Sequence, residues 1–428
     1  MFKNMNKKTL AQFLILAFSG ELVFYVLFSK STYYDAFIQA LNISNEQFGL
    51  LSTVNGWIAV VGYLLGGILA DKVSPRIMMS VTFLGTGICN FVYGFFPSYP
   101  VLMVLFILMG ITTSFTYWAA LQKATRAIGR RIGSESKAFG FLQTGRDLFG
   151  AFVIWVAVIV FNQYASVVFG LRFVIWWFAA WLVIFGIVSL FVFDKKPDPE
   201  AITDKDFFRQ LWLCVKNPDV WLVTLMAFGG YAIGSLYQSY ISAMGTSIFG
   251  MSIGSGAYFG SVARYFVLFG AFITAYIGQR VGPSKVIYYN NYLQMLCCVG
   301  ALLLFRYPNL YLYIAVVFIE CALIGSFRSH KFATVREAKL PMHMTGTVFG
   351  FMSLIIYTSD AWPYTVVGRW LDNYDSVTAY SKMMYMILAF GVITVVASII
   401  FRIRNRKNIV EVLEEEKQKR AELEAAKA

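Results

Sequence analysis

The chain has 428 residues, 58% of them hydrophobic and only 14% charged, with a mean hydropathy of +0.63. A soluble domain carries about 25% charged residues, so most of this surface must face something other than water. The formal charge of +13 would suit nucleic acid if it lay on one face, but it is spread so as to exclude that reading and to act instead as a topology signal.

Twelve apolar runs are long enough to span a bilayer, each needing about 20 residues: 9–31, 46–70, 76–96, 100–122, 136–162, 171–193, 219–245, 254–279, 285–304, 310–332, 345–370 and 378–401. The first follows Lys7 and Lys8 and is too long for a cleavable signal's h-region. With the N-terminus inside, 29 of the 36 basic residues fall in inner segments, five in outer ones, and Arg146 and Arg264 at mid-span. This bias places both termini in the cytoplasm of a multi-pass protein. The 40 Phe, 25 Tyr and 10 Trp suit lipid contact and interfacial belts. The five cysteines lie in or beside apolar runs with no metal-ligand or disulfide spacing, and no cofactor or metal is implied.

Between the second and third runs stands Gly67-Ile68-Leu69-Ala70-Asp71-Lys72-Val73-Ser74-Pro75-Arg76. So short a turn makes the flanking helices antiparallel neighbours, and Gly62, Gly66 and Gly67 permit close helix approach. Asp71 ends one helix and Arg76 begins the next. The stretch resembles the G-x-L-A-D-R-x-G-R-R signature of the major facilitator superfamily: Gly67, Leu69, Ala70, Asp71 and Arg76 match, Lys72 is a conservative change, and Ser74 replaces the usual glycine. The resemblance implies an all-α membrane protein of twelve transmembrane helices in two pseudo-symmetric six-helix bundles.

The longest internal polar segment divides the runs six and six. The organisation expected is an N-terminal bundle 1–193, a cytoplasmic linker 194–218, a C-terminal bundle 219–402 and a charged tail 403–428. A shift of 210 lays Arg126 on Arg336 and Phe139-Gly140-Phe141 on Phe349-Gly350-Phe351, as parallel repeats require. The signature recurs weakly around Gly278 to Lys285, without its acid.

An ionisable side chain at mid-membrane is costly and therefore a functional candidate. Glu21 lies in the first run, Arg146 and Asp147 in the fifth, Arg264 in the eighth, Glu320 in the tenth and Asp360 in the eleventh. The third, sixth, ninth and twelfth runs carry no interior charge, which matches the facilitator fold, where every third helix stands outside the cavity. Polar stripes at steps of three and four add Gln143, Tyr231, Gln238 and Tyr357, and Pro363 can loosen the eleventh helix.

From these residues the expected site is Arg146, Arg264, Gln143, Tyr231, Gln238 and Tyr357 for substrate, and Glu21, Glu320 and Asp360 for proton coupling. Gly67, Asp71, Arg76, Arg126 and Arg336 form the signature loop and gate. Arg328 and Lys331 read as the cytoplasmic third of the tenth helix. Two guanidiniums offer forked donors for a carboxylate, phosphate or sulfonate, and an arginine on the eighth helix resembles that of oxalate and monocarboxylate facilitators. The stretch 139–146 resembles bacterial facilitators near the organic-anion porters.

The expected function is a secondary transporter of a small organic anion, working by alternating access in a bacterial inner membrane and coupled to protons or a counter-anion. It is expected to be a monomer whose partners are its solute and the lipid bilayer. No Walker loop, HExxH or GxSxG is present, so neither ATP-driven transport nor an enzyme is expected. A proton-coupled carrier of a neutral sugar or drug, or a transporter-like sensor, are the alternatives.

Overall fold

A computed structural model describes residues 6–131, 135–195, 207–340 and 345–425. Among these residues nine helices are long and apolar enough to cross a membrane. The chain forms two compact units, one of 1–204, 251–261 and 361–372, the other of 205–250, 262–360 and 373–428.

In the first unit, α1 (Lys7–Phe28) is capped by Asn6, whose side chain accepts from the Thr9 backbone N–H. A kinked helix α2 (Lys30–Leu41) leads to α3 (Asn45–Lys72), which opens on a reciprocal capping box between Ser44 and Gln47. The signature turn is two residues long, because α4 (Pro75–Tyr93) starts at once with Pro75 in its first turn. The Ser74 hydroxyl accepts from the Ile77 N–H at 3.4 Å, so the departure from the family's glycine supplies a helix cap. A Cβ on Gly66 would press on the Phe115 carbonyl, as the glycine spacing predicts, but Gly67 faces open space.

The fourth run is interrupted. It forms α5 (Tyr99–Gly110), a π-turn at 111–115 and α6 (Tyr117–Arg131). Threonine hydroxyls line this irregular turn, with Thr82 to Thr116 at 2.6 Å and Thr86 to Thr112 at 2.8 Å. Helices α7 (Glu135–Phe161) and α8 (Val167–Val192) complete the unit. Asp194, just beyond α8, gathers Lys8 at 2.6 Å and Arg131 at 2.8 Å. Arg76 Nε donates to the Phe193 carbonyl at 3.2 Å.

The same unit takes in α17 (Pro363–Asn373) up to residue 372. The Asp372 carboxylate accepts the backbone N–H groups of Asn45 and Glu46 at 3.0 and 2.8 Å, at the exposed start of α3. Arg369 reaches Glu46 at 2.6 Å, and Thr53 meets Thr365 at 2.8 Å.

In the second unit, a short amphipathic helix α9 (Phe207–Lys216) lies in the stretch expected to be a linker, and Asn217 and Pro218 start α10 (Pro218–Ser239). After α11 (Ile241–Ser247) come α12 (Ile253–Val281), α13 (Pro283–Arg306) and α14 (Leu310–His330). Helix α12 gives its first turns to the first unit. Helices α12 and α14 meet backbone to backbone: a Cβ on Gly270 would strike the Ala322 carbonyl, and one on Gly325 the Val267 carbonyl. The eleventh run breaks into α16 (Thr345–Ile356), a 3-10 turn at 357–360 and α17. Pro363, which has no N–H and disfavours helix in the residue before it, accounts for the break.

Between α14 and α16 sits the one-turn helix α15 (Thr334–Glu337). Its buried Glu337 accepts the Ser284 N–H at 3.0 Å, capping the start of α13. Helix α18 (Ser376–Arg404) packs on α10 and α13. The tail helix α19 (Arg406–Ala425) returns to the loop beyond α14, where Arg336 binds Glu416 at 2.6 Å and Lys339 binds Glu411.

Candidate functional site

Among the described residues each unit brings expected site residues together in a polar constellation among apolar helices. In the first, the Arg146 side chain of α7 runs across Gly20 of α1, where any Cβ would collide with it. Its Nη2 donates to the Gly20 carbonyl and to Glu21 Oε1, both at 3.3 Å. The arginine side chain is 9% exposed and the glutamate 36%, so Glu21 keeps a face free. Gly150, one turn beyond Arg146 on α7, leaves the room that the Glu21 side chain fills. The guanidinium also lies over the Trp118 ring, 5.5 Å from its centroid. The structure thus brings two of the expected residues, Glu21 and Arg146, into contact. Gln143 is exposed on α7, and the side chains of Asp147 and of Asp71 in the signature turn lie outside the described residues.

In the second unit, Tyr231, Ser235 and Gln238 stand one turn apart on α10. Asp360, in the 3-10 turn after α16, accepts the Tyr231 hydroxyl at 2.7 Å and the Ser235 hydroxyl. Tyr231 and Tyr357 meet edge to face at 5.2 Å. Gln238 Oε1 accepts from Arg328 Nη2 at 2.8 Å. The ammonium of Lys331, at the end of α14, faces the rings of Tyr231, Phe332 and Tyr357 at 4.7, 5.0 and 5.6 Å. Arg328 and Lys331 therefore belong with the polar stripe of α10. One sequence signal was available: the two are three residues apart and so share a helix face.

The remaining expected residues are dispersed. Arg264, on α12, is half-buried and in the same unit as Asp360, whereas Arg146 is in the other. Glu320 is fully buried on α14, where Gln294 of α13 donates to it at 2.9 Å and Asn290 in turn to Gln294 at 3.1 Å. Its second oxygen has no partner among the described residues. Arg126 is exposed at the end of α6, and Arg336 is engaged by α19. Among the described residues no cluster of His, Cys, Asp and Glu could hold a metal.

Comparison with known proteins agrees with the architecture. The chain is 24% identical over 417 residues to the inner membrane protein YihN of Escherichia coli, covering 94% of this chain and 98% of that one. To the inner membrane protein YqcE of the same organism it is 24% identical over 404 residues, covering 91% and 93%. Its fold resembles that of the nucleoside transporter NupG, with a TM-score of 0.71 at 14% identity, covering 92% of this chain and 99% of NupG. It also resembles a bacterial homologue of the human lysosomal transporter Spinster in an inward-facing, unoccupied conformation, with a TM-score of 0.69 at 14% identity, covering 95% and 99%. The Major Facilitator Superfamily model matches residues 13–361. With the signature turn, the repeated halves and this match across most of its length, the chain belongs to the major facilitator superfamily of membrane transporters.

Proposed function

We propose that the protein moves a small organic anion of the carboxylate, sugar phosphate or sulfonate class across the inner membrane by alternating access, coupled to protons or to a counter-anion. One observation carries this reading: beside α10 the buried ammonium of Lys331 lies among aromatic rings, with the exposed guanidinium of Arg328 three residues back, and the one carboxylate nearby, Asp360, already accepts two hydroxyls. Burying excess positive charge costs several kcal/mol per ion unless something compensates it, and an anionic solute would do so. Arg146 and Arg264 add guanidiniums from each half. Glu21 and Asp360, each bonded to a neighbouring helix of its own half, are the groups through which a proton would bias rearrangement, and Glu320 is a sealed third. Gly67, Asp71, Arg76, Arg126 and Arg336 serve as the gate.

A second reading, transport of a neutral solute, draws on the fold shared with the nucleoside transporter NupG and on the Tyr, Ser and Gln lining of α10. Uptake into liposomes separates the two. The wild type is expected to accumulate organic anions and to ignore nucleosides and sugars. Arg264→Ala is expected to abolish anion uptake while the protein stays folded. Saturable uptake of neutral solutes alone would overturn the anion reading.

A further inference from the structure

We propose that Lys331 is a further anion contact of the C-terminal half, in addition to Arg264, and that its preferred partner is a tetrahedral oxyanion head, a phosphate ester or a sulfonate. This deepens the anion reading above and rests on it.

Lys331 is 8% exposed, and no hydrogen bond or ion pair engages its ammonium among the described residues. Three aromatic rings surround it. Ring faces attract a cation but offer no acceptor for its three N–H donors. Asp360 is near enough to act on it through space, yet that carboxylate accepts the hydroxyls of Tyr231 and Ser235 and makes no ion pair with it. Tyr231 stands between them, its hydroxyl on the acid and its ring toward the ammonium. Arg328, three residues back on the same helix face, adds a like charge, and like charges at that spacing repel. An anion bridging the pair would relieve both defects.

The shape of the anion follows from the free donors. A guanidinium fork takes one edge of a carboxylate or of a phosphate in a fixed plane, whereas an ammonium is a point charge with rotatable donors that imposes no plane. Here the fork has one arm on Gln238, and the open group is the ammonium. A head with oxygens spread around a central atom can reach both cations.

The test is calorimetric and thermal-shift titration of the purified full-length protein with glycerol phosphate, methanesulfonate, acetate and a neutral nucleoside. The wild type is expected to bind one or both tetrahedral anions at least tenfold more tightly than acetate, and the two arms distinguish phosphate from sulfonate. Lys331→Met is expected to lose at least tenfold in that affinity while raising the unfolding temperature, because it removes an uncompensated cation. Lys331→Arg should retain most of the tetrahedral-anion affinity, since a guanidinium also takes a phosphate or sulfonate edge. Unchanged anion affinity in Lys331→Met, a lowered unfolding temperature in that variant, or equal binding of acetate by the wild type would each overturn the assignment of Lys331 and leave the anion reading standing. Binding of the nucleoside alone would remove both.

Discussion

Asp219 and Arg404 meet at 2.9 Å across 185 residues of chain, and they stand where Lys8 and Asp194 stand in the first half with the signs exchanged. A shift of 211 carries Lys8 to Asp219, and one of 210 carries Asp194 to Arg404. Each pair ties the start of a half's first helix to the end of its sixth. The clasp has kept its place while its polarity reversed, as Coulomb attraction allows. The two are not equal in reach. Asp194 also holds Arg131 at 2.8 Å, whereas Asp219 adds only the neutral Asn405 at 2.8 Å.

That difference sets the cost of breaking each clasp. Arg404→Ala removes one pair, its arginine exposed and its aspartate 18% exposed, and with Asn405 still on Asp219 it is expected to cost about 1 kcal/mol. Asp194→Ala frees two cations at once and should cost more, about 1–2 kcal/mol for a small network. Thermal unfolding in detergent ranks the variants, and equal losses would contradict the networked role of Asp194.

The Arg146–Glu21 pair is more deeply placed. Glu21→Gln leaves a guanidinium that is 9% exposed without its carboxylate. A fully buried pair costs about 3–5 kcal/mol to break from one side, and with Glu21 a third exposed the expectation falls to about 1–3 kcal/mol. Gly150→Val should produce a similar loss by displacing the Glu21 side chain. A double-mutant cycle should show the two effects to be less than additive.

Two carboxylates outside the membrane-spanning runs, Glu337 of α15 and Asp372 of α17, give opposite pH responses. Burial pushes Glu337 up from an ordinary 4.5 to about 7, although Ser284 hydrogen bonds pull the other way. The folded state then holds the proton more tightly, so this contribution is complete below about pH 4.5 and is lost as pH rises through about 7. Burial also acts to raise Asp372, but the N–H groups of Glu46 and Asn45 outweigh it and hold the carboxyl below its usual range. Its contribution is present above the ordinary aspartate value of 3.8 and lost as pH falls below it. Unfolding temperature against pH should lose its upper decline in Glu337→Gln and its acid decline in Asp372→Asn.

The tail helix α19 is held largely by charge. Arg336 and Lys339 bind Glu411, Glu415 and Glu416, all partly exposed, with Val412 buried beneath them. Screening shortens from about 10 Å at 0.1 M salt to about 3 Å at 1 M. Removal of residues 406–428 is expected to lower the unfolding temperature at low salt and much less at 1 M. A salt-independent loss would mean that the apolar contact dominates.

Much of this architecture is legible in the sequence. Run lengths and the glycine spacing foretell α3, the signature turn and α4, because each depends on neighbours along the chain. The meeting of Glu21 with Arg146 follows from opposite charges at similar depth. The rotation of each helix is harder to read, since helices apolar nearly all round carry little moment. Glu320 therefore reads as a cavity acid, while the structure turns it toward Gln294 of α13. Lys331 reads as a base in the cytoplasmic third of the tenth helix, while the structure sets it just beyond the end of α14 among three rings. The π-turn at 111–115 has no breaker residue in it and was not foreseeable from propensity.

The glycine crossing of α12 and α14 has a mechanical corollary. Where main chains touch without intervening side chains, sliding by a turn would drive a carbonyl into a neighbouring backbone. The two helices are keyed like splined shafts, and any motion that carries Arg264 must carry Arg328 with it.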